Sequence, residues 1–268
     1  MGVLNVTPDS FSDGGRFVQL DAALLHVRQM IDDGADIIDI GGESTRPGAT
    51  PISAEVETQR VLPVLRALQG ARVPISVDTS QPELMRAALE EGASIINDVR
   101  GFRAAQAVKT VCGADCGLVV MHMQGEPGTM QHQPTYEDVV AEVGSWLARR
   151  RDELTAAGIA SERMVVDPGF GFGKSHKHNR QLLGNFERLM SVGQPLLVGV
   201  SRKSTLGEIT GRPAEQRLSA SLAAALIAIE GGARIVRVHD VGATRDAIAV
   251  WEAVRAERRP ASRSEGLK

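Results

Sequence analysis

Aromatic residues are scarce in this chain. Phe, Trp and Tyr make up 3% of its 268 residues, so a core must be assembled mainly from Val, Ile, Leu and Ala. That suits parallel strands buried under helices better than a β-sandwich. Cysteine is scarcer still. Cys112 and Cys116 lie four apart without a second Cys or His pair at zinc spacing, which excludes a zinc framework and predicts two reduced thiols. No apolar run approaches the ~18 residues of a membrane span. A charged n-region followed by an apolar h-region is also missing, so the expected location is the cytoplasm. The net charge of −3 exerts no general pull on nucleic acid or membrane and leaves small molecules as the expected partners. A glycine-rich dinucleotide turn does not follow the first strand, and "VVDPGFGFGK" lacks the spacing of a P-loop.

What the chain does have is a repeated alternation. Short Val/Ile/Leu-rich runs occur at 2–6, 36–41, 74–79, 94–99, 117–122, 163–169, 195–201 and 234–240, each near-continuous as in strands buried on both faces. Helical patterns separate them. "DAALLHVRQMIDDG" stops at Gly34, and "PELMRAALEEG" starts at Pro82 and stops at Gly92. In "TYEDVVAEVGSWLARRRDELTAAG", Thr135 and Asp138 have the spacing of a capping box. Eight strands alternating with helices predict an α/β fold, a single-domain (β/α)₈ TIM barrel over residues 1–255, with a polar, basic tail at 256–268 that frays. An open doubly wound sheet competes, but would use fewer strands.

Nearly every predicted strand ends in polar residues: Asn5, Asp39, Asp78, Asn97 with Asp98, His122, Asp167, "SRKS", and Arg237 with His239. A lone Asp after a strand usually caps the next helix. Eight such endings at one end of a barrel instead mark its catalytic rim. Asp78, Asn97 and Asp167 suit a flat heterocycle with an amino-pyrimidinone edge, whose N–H groups are costly to bury unpaired. Arg202, Lys203, Arg237 and His239 suit phosphate oxygens. Arg237 and His239 stand two apart, so an extended chain points both to one face. Long polar loops at 7–15 and 43–51 are of the kind that covers a substrate. The "HKH" at 176–178 reads as a solvated loop, His122 as pocket packing, and "GFRAA" after strand four carries no reading.

These segments together, "MGVLNVTPDSFSDGG", "IIDIGGESTRPGA", "ISVDTSQPE", "IINDVRG", "VVMHMQGEP", "VVDPGFGFGK", "LLVGVSRKS" and "VRVHDV", resemble the bacterial dihydropteroate synthase family from Met1 to about Glu252. The resemblance implies a Mg²⁺-dependent transferase of folate synthesis. Such an enzyme joins p-aminobenzoate to 6-hydroxymethyl-7,8-dihydropterin diphosphate through a pterin methylene cation and is the target of sulfonamides. It implies Asp78, Asn97, Asp167, Lys203, Arg237, Met121 and Phe172 around the pterin. Asn5, Thr45, Arg237 and His239 would meet the diphosphate. Phe11, Thr45, Arg46, Pro47, Lys203 and Ser204 would form the p-aminobenzoate side, and Asn5 with Asp13 would hold Mg²⁺. Asp78, Asp167, Lys203, Arg237 and His239 would carry the catalysis. The family further implies a homodimer formed through helices near the C-terminal half. Its members usually carry a short segment ahead of strand one, so a truncated or alternative start is expected. Three other readings stand beside this one: a barrel aldolase using Lys203 as a Schiff base, a methyltetrahydrofolate-dependent corrinoid methyltransferase, and a pterin-binding paralogue without turnover.

Overall fold

The structure, a computed structural model, describes residues 1–7, 16–44, 52–126, 128–130 and 133–257. Eight parallel strands follow one another around one sheet in chain order. They are β1 (Gly2–Asn5), β2 (Ile38–Gly41), β3 (Ile75–Asp78), β4 (Ile95–Asp98), β5 (Gly117–Met121), β6 (Met164–Asp167), β7 (Leu196–Val198) and β8 (Ala233–Val236). Just beyond β8, Val238 bridges in parallel to Gly2. Val3 N donates to Val238 O at 3.0 Å and Val238 N donates to Met1 O at 2.9 Å. The sheet therefore closes on itself, and the (β/α)₈ barrel expected from the alternation is the fold.

Nine helices of the described residues wrap the sheet: α1 (Arg16–Asp32), α2 (Ala54–Ala67), α3 (Pro82–Glu90), α4 (Ala105–Cys112), α5 (Val139–Ala156), α6 (His176–Gly184), α7 (Ser204–Thr210), α8 (Leu218–Glu230) and α9 (Val241–Ala256). Alternation along each strand sorts the apolar residues into two cores. Outward-facing Leu4, Ile38, Ile40, Val77, Ile96 and Val166 pack with the helices in one large cluster. Inward-facing Ile37, Ile95, Val119, Val165, Leu197 and Ile235 join Met1 in a separate plug at the amino ends of the strands. Each such side chain contributes about 1.5–3 kcal/mol on burial, and the plug makes the barrel floor solid.

Two local expectations differ from what is observed. The N-cap of α5 is Asp138, not Thr135: its carboxylate accepts from Val140 N at 3.0 Å and Ala141 N at 3.1 Å. The Glu142 carboxylate reaches back to Glu137 N and Asp138 N, so the reciprocal pair is shifted along the chain by about one turn. "HKH" is not a loop but the first turn of α6, where Ser175 and His178 form a capping box. The "GFRAA" segment holds a core residue, Phe102, which is fully buried at φ +56°. The tail from 258 onward lies outside the described residues.

Candidate active site at the carboxyl rim

The carboxyl ends of β3, β4, β5, β6, β7 and β8 bring the expected residues together. Asp78, Asn97, Met121, Asp167, Phe172, Lys203, Arg237 and His239 all line one cavity, with Val3, Val99, Phe170, Gly199 and Ser201. Period-two alternation explains the selection. Asn97 faces inward, whereas its neighbour Asp98 turns away and accepts from Ser80 Oγ, Arg100 N and Phe102 N, fastening the loop after β4.

The centre of the site is a salt-bridged arginine. Arg237 Nε donates to Asp39 Oδ2 at 2.6 Å and its Nη2 donates to Asp78 Oδ2 at 2.8 Å. Asn97 Nδ2 donates to the same Asp39 oxygen at 3.1 Å. Asp39 is fully buried, its other oxygen has no partner, and Arg237 is the cation it meets. Sequence reasoning placed Asp39 among the polar strand ends without giving it a role. Its role is to hold Arg237 and Asn97 in register. Burial pushes the Asp78 carboxyl above the usual carboxylate range, and the Arg237 guanidinium opposes that shift. The two aspartates hold Arg237 above the ordinary arginine value against the effect of burial.

On the opposite wall, Asp167 Oδ1 accepts from Gly169 N at 2.7 Å. Burial pushes its carboxyl up to about 6, against the Gly169 hydrogen bond and the cations of Lys203, Lys174 and Arg237. Lys203 Nζ sits 4.3 Å from the centroid of the Phe172 ring, a cation–π contact. Burial and Arg237 lower Lys203 to about 8, which still leaves it mostly cationic at neutral pH. His239 Nδ1 lies 3.0 Å from Ser201 Oγ, which also accepts from His239 N at 3.3 Å. Ser201 is thus free to donate to Nδ1 and leave the ring proton on Nε2. Burial lowers His239 to about 4, so it acts here as a neutral donor rather than a cation.

Arg202 departs from its expected place. At φ +58° it turns out of the cavity, and its Nε donates to Asp240 Oδ2 at 3.0 Å. It clamps the loop after β7 to the start of α9. His122 packs edge-on against Trp146 beneath a different groove and contacts the buried Lys174. Ser204 opens α7 on the exposed side. Phe11, Asp13, Thr45, Arg46 and Pro47 lie outside the described residues.

Asn5, at the end of β1, faces Asp78 across Gly41. A β-carbon on Gly41 would lie 3.8 Å from Asp78 Oδ2 and 3.9 Å from Asn5 Oδ1. Among the described residues no cluster of three His, Cys, Asp or Glu side chains could hold a metal. One protein oxygen such as Asn5 Oδ1 nonetheless fits an ion that takes most of its ligands from substrate phosphates and water, as Mg²⁺ does. The cavity encloses about 50 Å³, well short of the ~300 Å³ of ordinary ligand pockets. Arg237, lying on Asp78, forms part of its wall.

A flat polar edge and an anion would both find partners here, and comparison with known proteins agrees. The profile of the family described as "Pterin binding enzyme" matches residues 1–239. The dihydropteroate synthase of Neisseria meningitidis serogroup B is 52% identical over 261 residues, covering 95% of this chain and 92% of the relative. The chain belongs to the pterin-binding enzymes, among the dihydropteroate synthases. Two solved structures of this family resemble it closely. Xanthomonas albilineans dihydropteroate synthase with 4-aminobenzoic acid superposes with a TM-score of 0.91 at 50% identity, covering 96% of this chain and 93% of that one. The Yersinia pestis enzyme in a sulfonamide complex gives 0.90 at 46% identity, covering 96% and 94%.

Proposed function

We propose that this pterin-binding enzyme joins p-aminobenzoate to 6-hydroxymethyl-7,8-dihydropterin diphosphate, forming 7,8-dihydropteroate and releasing pyrophosphate. The observation that carries the reading is the convergence of Asp78, Asn97, Asp167, Lys203 and Arg237 from five strand ends on one cavity. The pterin ring would lie between Met121 and Phe172, its N–H groups donating to Asp78 and Asp167 and its carbonyl facing Lys203. Arg237 would leave Asp78 as the ring arrives and, with His239 and Asn5, meet the diphosphate.

Breaking the C–O bond to the diphosphate leaves a methylene cation conjugated with the ring. The ionised Asp78 and Asp167 stabilise that cation, and Arg237 with His239 stabilises the departing charge. The aniline nitrogen then attacks, and its surplus proton passes to solvent or to the leaving diphosphate. Phe11, Thr45, Arg46 and Pro47, with Lys203 and Ser204, would place the p-aminobenzoate, the same subsite a sulfonamide would take. Mg²⁺ held by Asn5 and Asp13 would neutralise part of the diphosphate charge.

No helix of the described residues is long and apolar enough to cross a membrane. The two free thiols fit a reducing, cytoplasmic compartment. Ile227 on α8 and Val250 and Val254 on α9 are apolar and more than half exposed, which favours pairing of two copies through these helices. Sedimentation at micromolar concentration would show a dimer, and a monomer would refute that pairing.

The deciding assay measures pyrophosphate from the dihydropterin diphosphate with Mg²⁺, with and without p-aminobenzoate. Release matched by dihydropteroate establishes the reading. Pterin binding without either product would favour the paralogue that lacks turnover.

A further inference from the structure

The loop after β6 is wound around its own lysine. Lys174 is 1% exposed. Its Nζ lies 2.9 Å from His122 Nδ1, 2.9 Å from Phe172 O, 3.0 Å from Gly169 O and 3.4 Å from His122 O. An ammonium has three protons for these acceptors and a neutral amine only two, so the cage favours the charged form. Burial opposes it and lowers Lys174 to about 7, while burial and the Lys174 charge hold His122 neutral, far below the ordinary histidine value.

Glycine makes the winding possible. Gly169 and Gly173 adopt φ +68° and +60°, and β-carbons there would come within 1.9 Å of His122 O and 2.2 Å of Gln124 O. The loop is therefore pressed onto the backbone that follows β5. In that shape it grips the active site at two points. Gly169 N fixes the Asp167 carboxylate, and Phe172 supports Lys203. Asn179 fastens the same loop from the far side, its Oδ1 accepting from Gly171 N at 2.8 Å and its Nδ2 donating to Thr205 Oγ1 at 3.1 Å.

We propose that Lys174 is a positioning residue for the reaction: its buried ammonium shapes the loop that orients Asp167 and Phe172, and supplies positive charge that keeps Asp167 ionised. The proposal rests on the reading of Asp167 as the carboxylate that binds the pterin. Asp167 faces three cations, Lys203, Lys174 and Arg237. Lys174 in turn faces Asp167 and Lys203, with the His122 and His178 rings nearby. Removing one of the three cations raises the Asp167 carboxyl further and protonates more of it at neutral pH.

The test is the pH profile of kcat/KM for the dihydropterin diphosphate in wild type, Lys174→Met and Asn179→Ala, because its acid limb reports ionisation of the free enzyme. Methionine keeps the length of lysine without its charge. In Lys174→Met the acid limb is expected to move up by about one pH unit, with kcat/KM at pH 7 down at least roughly twofold. Asn179→Ala loosens the same loop but leaves the charge, so its activity falls without the limb moving. An unmoved limb in an active Lys174→Met enzyme, or an equal shift in Asn179→Ala, overturns the proposal. Should the methionine variant not fold, Lys174→Gln, which keeps a donor for the carbonyls, carries the same expectation and the same refutation. Wild-type enzyme without turnover would sink the synthase reading itself, a failure distinct from an unmoved limb.

Discussion

The two ends of this barrel are built from the same eight strands and opposite chemistry. At the amino ends, inward-facing Ile37, Ile95, Val119, Val165, Leu197 and Ile235 fill the interior with apolar side chains. Two residues further along the same strands, the inward positions are Asp39, Asn97, Met121, Asp167, Gly199 and Arg237. The floor supplies stability through burial, and the rim spends it on charges held out of water. Separating the two by one pleat lets the rim carry strained electrostatics without unravelling the fold.

Four substitutions break or sharpen that contrast. The largest effect is expected at the rim: Arg237→Ala lowers kcat/KM by about 10³-fold, or about 4 kcal/mol, measured by steady-state turnover. It also leaves Asp39 without its partner. On the floor, Leu197→Ala lowers unfolding free energy by about 3 kcal/mol in a denaturant titration while KM stays unchanged. A large KM change there would show that floor and rim are not separable. Asp167→Asn sharpens the contrast by moving the two quantities apart. Its kcat/KM falls about 100-fold, yet its melting temperature at pH 8 equals or exceeds that of wild type. The sign follows from linkage: a carboxyl raised to about 6 in the folded state is costly when ionised, so the wild type loses stability as pH rises from the unfolded value through 6.

The smallest effect concerns a buried carboxylate at the same end but outside the barrel. Glu57 on α2 is 1% exposed, accepts from Thr79 Oγ1 at 3.1 Å, and is raised to about 8 by burial. The folded state therefore holds this proton where the unfolded chain has lost it. Stability should decline by about 2 kcal/mol between pH 6 and 8, and Glu57→Gln should flatten that slope in paired thermal melts. An unchanged slope would mean that Glu57 is ionised in place.

Most of the architecture was legible because buried parallel strands announce themselves as continuous Val/Ile/Leu runs, and because eight of them alternate with helices. The pocket was legible because polar residues ended those runs on one side. What the sequence concealed was direction and partnership. Asp98 looked equivalent to Asn97, yet alternation sends it outward. Arg202 looked equivalent to Lys203, yet a left-handed backbone turns it toward Asp240. Thr135 had the spacing of a cap, but the helix begins a turn later, where Asp138 meets the backbone N–H groups. Asp39 stood among the polar strand ends without a role and Lys174 gave no signal of its own, since their importance comes from groups 198 and 52 residues away that only the closed barrel brings near.

The guanidinium of Arg237 resembles the amino-pyrimidinone edge of a pterin: both present planar N–H groups to a carboxylate. Resting on Asp78, it acts as an internal understudy for the substrate. On the proposed reading, the carboxylate would exchange this one hydrogen-bond partner for the ring. Substrate uptake would then be a substitution, and product release would be assisted by a competitor tethered to the same barrel at high effective concentration. Compounds designed for this pocket compete against that tethered group, so matching its hydrogen bonds only breaks even; a gain in affinity must come from contacts the arginine does not make.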